Sequence, residues 1–144
     1  MRLFFMILAV FLLAAAPAEA HRDVIPGPVS GEVVRVLDGD TVAVRVHVWI
    51  GEDIETHVRL AGIDAPELHG KCDKERRMAV AARDALVKMA GDKIELTDIR
   101  LEKYAGRVMA HAATSGVPDI SARMVAEGFA RPYHGEKRGA WCGG

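Results

Sequence analysis

Residues 38–48 read Asp38-Gly39-Asp40-Thr41-Val42-Ala43-Val44-Arg45-Val46-His47-Val48. From Thr41 onward the apolar positions fall on every second residue. Val42, Val44, Val46 and Val48 point one way; Ala43, Arg45 and His47 point the other. That period belongs to a half-buried strand. Asp38-Gly39-Asp40 ahead of it is a turn, and the apolar run of Val33, Val34 and Val36 before the turn reads as the preceding strand.

Working outward, Gly51-Glu52-Asp53 breaks the alternation, and Ile54 to Ile63 reads as a third strand carrying Val58 and Leu60. The period then lengthens. Between Cys72 and Ala90, Met78, Ala82, Leu86 and Met89 recur at helical spacing, and Gly91-Asp92 ends the helix. Ile94, Leu96 and Ile99 mark a fourth strand, Lys103 to Gly106 a loop, and Val108 to Ala113 a fifth strand. Pro118-Asp119 opens a second helix that Gly128 closes. Three strands, a helix, two strands and a helix predict a mainly β fold with α: a five-stranded OB-type barrel with two helices. A small α+β sheet would give a similar string.

The 144 residues allow one domain. Met1-Arg2 followed by the uncharged run Leu3 to Ala15 and by Ala18-Glu19-Ala20 has the form of a secretory signal peptide. An uncleaved anchor is the alternative. The division expected is a leader over 1–20, an extended lead-in over 21–30 and the domain over 31–144. This implies a secreted or periplasmic protein with no stable membrane association after leader removal. Net charge is −1, and losing Arg2 and Glu19 leaves it unchanged. Coating of nucleic acid by bulk positive charge is thereby disfavoured; a local basic patch or a bridging metal would be required. Cys72 and Cys142 are the two cysteines. In an exported chain they suggest a disulfide, which would close a loop of about 70 residues and contribute roughly 4 kcal/mol by chain entropy. Two buried thiols are the other possibility.

Three short segments carry residues suited to phosphate chemistry. In Asp38-Gly39-Asp40-Thr41 a hairpin turn needs only one aspartate, so the second carboxylate is available to a hard cation. In Arg59 to Glu67 (RLAGIDAPE) Asp64 and Glu67 could cap a helix, with Pro66 in its first turn. Yet Arg59 shares a strand face with Ala61 and Ile63, and an arginine so placed needs an anionic partner. Lys103-Tyr104-Ala105-Gly106-Arg107 reads as a hairpin loop with an arginine at a strand mouth, able to grip phosphate through two N–H donors.

Taken together, these segments resemble the staphylococcal nuclease (thermonuclease) family in order and spacing. Met124 to Ala130 (MVAEGFA) is also similar to its second-helix signature, and the resemblance runs from about Gly31 to Tyr133. It implies roles position by position. Asp40 and Asp64 would be calcium-binding carboxylates, with the Ala65 carbonyl as a backbone ligand and Asp38 a neighbouring carboxylate behind them. Arg59 and Arg107 would grip phosphate, and Glu67 would be the general base. The implied activity is calcium-dependent hydrolysis of DNA and RNA with little sequence preference, on single-stranded substrate, leaving 3′-phosphates, by a monomer. Tyr104 and Tyr133 could stack on bases or simply pack.

The chain departs from the family pattern in three ways. Ala105 lengthens the usual Tyr-Gly-Arg loop, the chain is short of a third C-terminal helix, and it is not strongly basic. The disulfide is the expected substitute for that helix. None of the six histidines pairs at zinc-like spacing. Arg76, Arg77 and Arg83 read as a solvated helix face, and Trp49 and Trp141 as packing residues. The competing reading is a non-catalytic OB-type module that binds nucleic acid or protein. Such a module has no need of Glu67.

Overall fold

The computed structural model describes residues 24–103 and 106–143. The expected leader, the first residues of the lead-in, and Tyr104 with Ala105 lie outside the described residues. The elements in chain order are β1 (Val24–Ile25), β2 (Val29–Asp38), β3 (Thr41–Trp49), β4 (Glu52–Leu60), β5 (Ile63–Asp64), α1 (Asp73–Ala90), β6 (Lys93–Leu101), β7 (Arg107–Ala113), α2 (Ile120–Ala126) and β8 (Arg131–Pro132).

β2, β3 and β4 form an antiparallel meander, and β6 pairs antiparallel with both β2 and β7. The barrel closes where β4 meets β7 in parallel, with His57 opposite Arg107 and Arg59 opposite Met109. This is the expected five-stranded OB-type barrel with two helices. β1, within the stretch read as lead-in, adds a two-residue ladder to β6. β5 and β8 form a separate short ladder in which Asp64 lies opposite Arg131.

The alternating valines fill the interior as expected: Val42, Val44 and Val46 are buried, with Val58, Leu60, Ile94 and Leu96 around them. Val48 is not, because β3 and β4 run past the barrel as a free hairpin arm. Trp49, expected to pack, stands 72% exposed near its tip. α1 lays Ala79, Ala82, Leu86 and Ala90 against the barrel, one helical stripe of mostly small residues that admits close approach. Truncating Leu86, fully buried, would cost about 2–5 kcal/mol. α2 starts under the Asp119 cap, whose carboxylate accepts the Ala122 N–H at 2.9 Å, and buries Ile120 and Met124.

Candidate active site

The β2–β3 turn meets the middle of α1 through Gly39. A Cβ there would lie 2.7 Å from that of Ala82 and 2.8 Å from that of Ala65. Glycine is therefore what lets the turn settle onto the segment following β5. Once settled, Asp40 Oδ2 accepts the Ala65 N–H at 3.0 Å, and Oδ1 accepts the Thr41 hydroxyl at 3.0 Å. Asp38 stands behind, its Oδ1 accepting the Asp40 N–H at 3.0 Å. Burial pushes the Asp40 carboxyl up to about 6; Arg59 opposes the rise and Asp38 adds to it.

Arg59 enters from the end of β4 and is 6% exposed. Its guanidinium donates to the Ile63 carbonyl at 3.2 and 3.4 Å and lies 3.5 Å from Asp40 Oδ2 and 3.9 Å from Glu102 Oε1. Arg107, at the first position of β7, donates from Nε to the other oxygen of Glu102. That hydrogen bond, against some loss to burial, raises Arg107 above the usual arginine range and keeps it charged. Glu102 thus holds the two guanidiniums side by side.

Glu67 sits on the loop after β5, its side chain 60% exposed. The loop is anchored from below by Glu75 of α1, a buried carboxylate that accepts the N–H of Glu67 at 3.3 Å and of Lys71 at 3.1 Å. Gly70 makes room for it, since a Cβ there would meet Glu75 at 2.5 Å. Arg76 donates to the Gly70 carbonyl at 2.8 Å, so it is a loop anchor as well as a surface charge.

These elements enclose a cleft of about 700 Å³ lined by Asp38, Asp40, Arg59, Ala65, Glu67, Arg107 and Tyr133 among others. Seven residues singled out from the sequence therefore meet in one place. Asp64 does not line this cleft. It is 1% exposed and faces an adjoining hollow of about 460 Å³ that shares Ala65, Glu67, His69 and Arg138 with the first. Arg131, its ladder partner, donates to Asp64 Oδ2 at 2.8 and 3.1 Å; Arg138 Nε lies 3.2 Å from Oδ1. Arg138 also donates to Glu67 Oε1 at 2.5 Å. Partial burial works against its charge, but Asp64, Asp40 and Glu67 outweigh that and raise it. The Tyr133 ring lies 5.8 Å from the Arg59 guanidinium and 6.0 Å from that of Arg138.

The donor chemistry suits a hard cation. Asp40, Asp64 and the Ala65 carbonyl offer oxygen alone. Asp64 Oδ1 is buried and accepts no hydrogen bond, and a guanidinium already stands against it. Cys72, Glu75 and Cys142 also cluster within 4.8 Å, but both sulfurs are spent in a Cys72–Cys142 disulfide of 2.06 Å.

Arg131, Arg138, Glu102 and Glu75 were not singled out from the sequence. The disulfide was a signal for Arg138: it lies four residues before Cys142, and Cys72 follows Glu67 by five, so a tail tied to Cys72 brings that arginine near the loop. Trp141, expected to pack, does so with its ring 4.1 Å from the Arg131 guanidinium.

Comparison with known proteins places the chain in a family. Residues 57–140 match the family model described as staphylococcal nuclease homologue. The chain is 35% identical over 133 residues to a micrococcal nuclease of Shigella flexneri, covering 87% of this chain and 66% of that protein. It is 32% identical over 137 residues to Protein ParB of Escherichia coli, covering 90% of this chain and 67% of that one. It thus spans about two thirds of the length of the curated relatives it matches. With the family model covering more than half the chain and both relatives above 30% identity, the chain belongs to the staphylococcal nuclease homologue family.

Proposed function

We propose that this protein is a nuclease that hydrolyses phosphodiester bonds of single-stranded DNA and RNA in the 700 Å³ cleft, with calcium as its metal. One observation carries the reading: Asp40, Arg59, Glu67 and Arg107, from three separate stretches of chain, line a single cleft sized for a phosphate and its neighbours. Asp40, Asp64 and the Ala65 carbonyl would hold the metal. Bound there, calcium supplies positive charge beside a phosphate oxygen and orders water.

The remaining chemistry belongs to side chains. Glu67, exposed on its loop, takes the proton from the attacking water. As the phosphorus becomes five-coordinate, charge builds on the equatorial oxygens, and Arg59 and Arg107 face it already oriented by Glu102. Tyr133, beside Arg59, offers a surface on which a base can stack. The 5′ oxygen leaves, taking up a proton from solvent water to become a hydroxyl, and a 3′-phosphate remains, as the family resemblance implies. The disulfide supports a working place outside the reducing cytoplasm, and no helix among the described residues is long and apolar enough to cross a membrane. We read the active form as a monomer.

The test is cleavage of single-stranded DNA and RNA by folded protein, with calcium and with a chelator. Calcium-dependent release of 3′-phosphate ends is expected. Binding without cleavage would replace this reading with the non-catalytic module.

A further inference from the structure

The two oxygens of Asp64 are treated unequally. Oδ2 is committed to Arg131, which donates from Nε at 3.1 Å and from Nη2 at 2.8 Å. Oδ1 is buried, accepts no hydrogen bond, and is faced by Arg138 Nε at 3.2 Å. The same guanidinium reaches Glu67 Oε1 at 2.5 Å. One side-chain cation therefore spans a buried carboxylate and an exposed one, on the rim common to both hollows. Asp40 is near enough to act on it as a third negative charge.

Arg138 is held there by the strap that follows β8. Cys142 ties the strap to Cys72 at the start of α1. Trp141 stacks on Arg131, and the Gly139 and Ala140 carbonyls accept from the Arg131 guanidinium. A charge tethered on so short a lead acts at a high effective concentration. Its side chain is 43% exposed, so it has solvent to swing into.

We propose that Arg138 is a tethered counter-cation that competes with the divalent metal for Asp64 and Glu67, so that the C-terminal strap sets the calcium affinity of the cleft. The inference rests on the calcium-dependent reading above. A metal cannot take Asp64 Oδ1 while a guanidinium stands against it, because the two like charges would be in contact. Entry of calcium requires Arg138 to leave, and its leaving also frees Glu67. Linkage makes the exchange reciprocal: the affinity the strap gains from Arg138 is subtracted from that of calcium.

The experiment is calorimetric titration of calcium chloride, without nucleic acid, into the disulfide-intact full chain and its Arg138→Gln and Arg138→Lys variants. Arg138→Gln should bind calcium roughly tenfold more tightly, within the span of about 5- to 150-fold usual for coupled sites. Arg138→Lys keeps the charge and should stay close to the parent. A cooperative melt establishes folding, and Arg138→Ala repeats the measurement should the glutamine variant lose it. If the parent binds calcium and removing the charge leaves affinity equal or weaker, the competition is overturned while the metal-dependent reading stands. No calcium binding by any folded variant overturns both.

Discussion

The buried carboxylate of Glu75 carries the main chain of Glu67, accepting its N–H at 3.3 Å from beneath the loop. It also accepts the Lys71 N–H, and so pins both ends of the turn that presents the proposed base. Replacing it with alanine leaves two N–H groups without an acceptor. Glu75→Ala should lower stability by about 1.5–3 kcal/mol, the usual worth of hydrogen bonds to a charged group. Turnover should fall more than substrate affinity, because the base loses its position and the arginines do not. Glu75→Gln, which keeps an acceptor oxygen, should recover part of kcat. Denaturant melts and a kcat against KM comparison check this; an equal loss in both constants would count against a positioning role.

Glu67 and Arg59 should separate activity from stability. Glu67 is largely exposed, so Glu67→Ser should leave the melting temperature nearly unchanged while turnover falls by about 10²- to 10⁴-fold. Arg59 is buried against Asp40 and the Ile63 carbonyl. Arg59→Ala should cost activity and also about 3–5 kcal/mol of stability, because it strands a buried charge. Calorimetry beside an activity assay distinguishes the two patterns.

Asp40 makes the metal-free protein sensitive to pH. Its carboxyl titrates near 6 when folded, above the ordinary 3.8, chiefly because burial penalises the charge. The folded state therefore holds that proton more tightly than the unfolded chain. The native state has its full advantage below pH 4 and loses it as pH rises from about 4 to about 6, by about 3 kcal/mol at most. In chelator, Asp40→Asn should thus gain stability relative to the parent as pH rises through that window. Urea melts at both ends of the window decide it: a constant gap would show that Asp40 does not titrate in this way.

Removing the strap's covalent anchor should loosen one wall of the cleft. Cys142→Ser opens a disulfide spanning 70 residues and should cost about 2–4 kcal/mol, or roughly 10 °C in melting temperature. Trp141 emission should shift to the red as it leaves Arg131. The Trp49→Phe background removes the other tryptophan, which is already in solvent.

The barrel was legible because its strands are half-buried and their alternation is written locally, as in Val42, Val44 and Val46. That legibility ended at Trp49, where strand period continued but the barrel did not, since nothing local says where a partner layer stops. The charged residues of the cleft were readable as spaced motifs. Their supports were not: Glu102 and Glu75 look like ordinary surface acids in sequence, and only the β6–β7 pairing and the packing of α1 turn them inward. The commitment of Asp64 to Arg131 was equally hidden. It follows from the β5–β8 ladder, a pairing across 67 residues that no local period announces.

The parallel seam between β4 and β7 also sets a timetable for synthesis. A growing polypeptide that has just emitted α1 already carries Asp38, Asp40, Asp64 and Glu67, but it has yet to make Arg107, which only the seam brings level with His57. Arg131 and Arg138, the guanidiniums that steady Asp64 and Glu67, are translated later still, so a truncated product would hold these acids with Arg59 alone of the cleft's arginines.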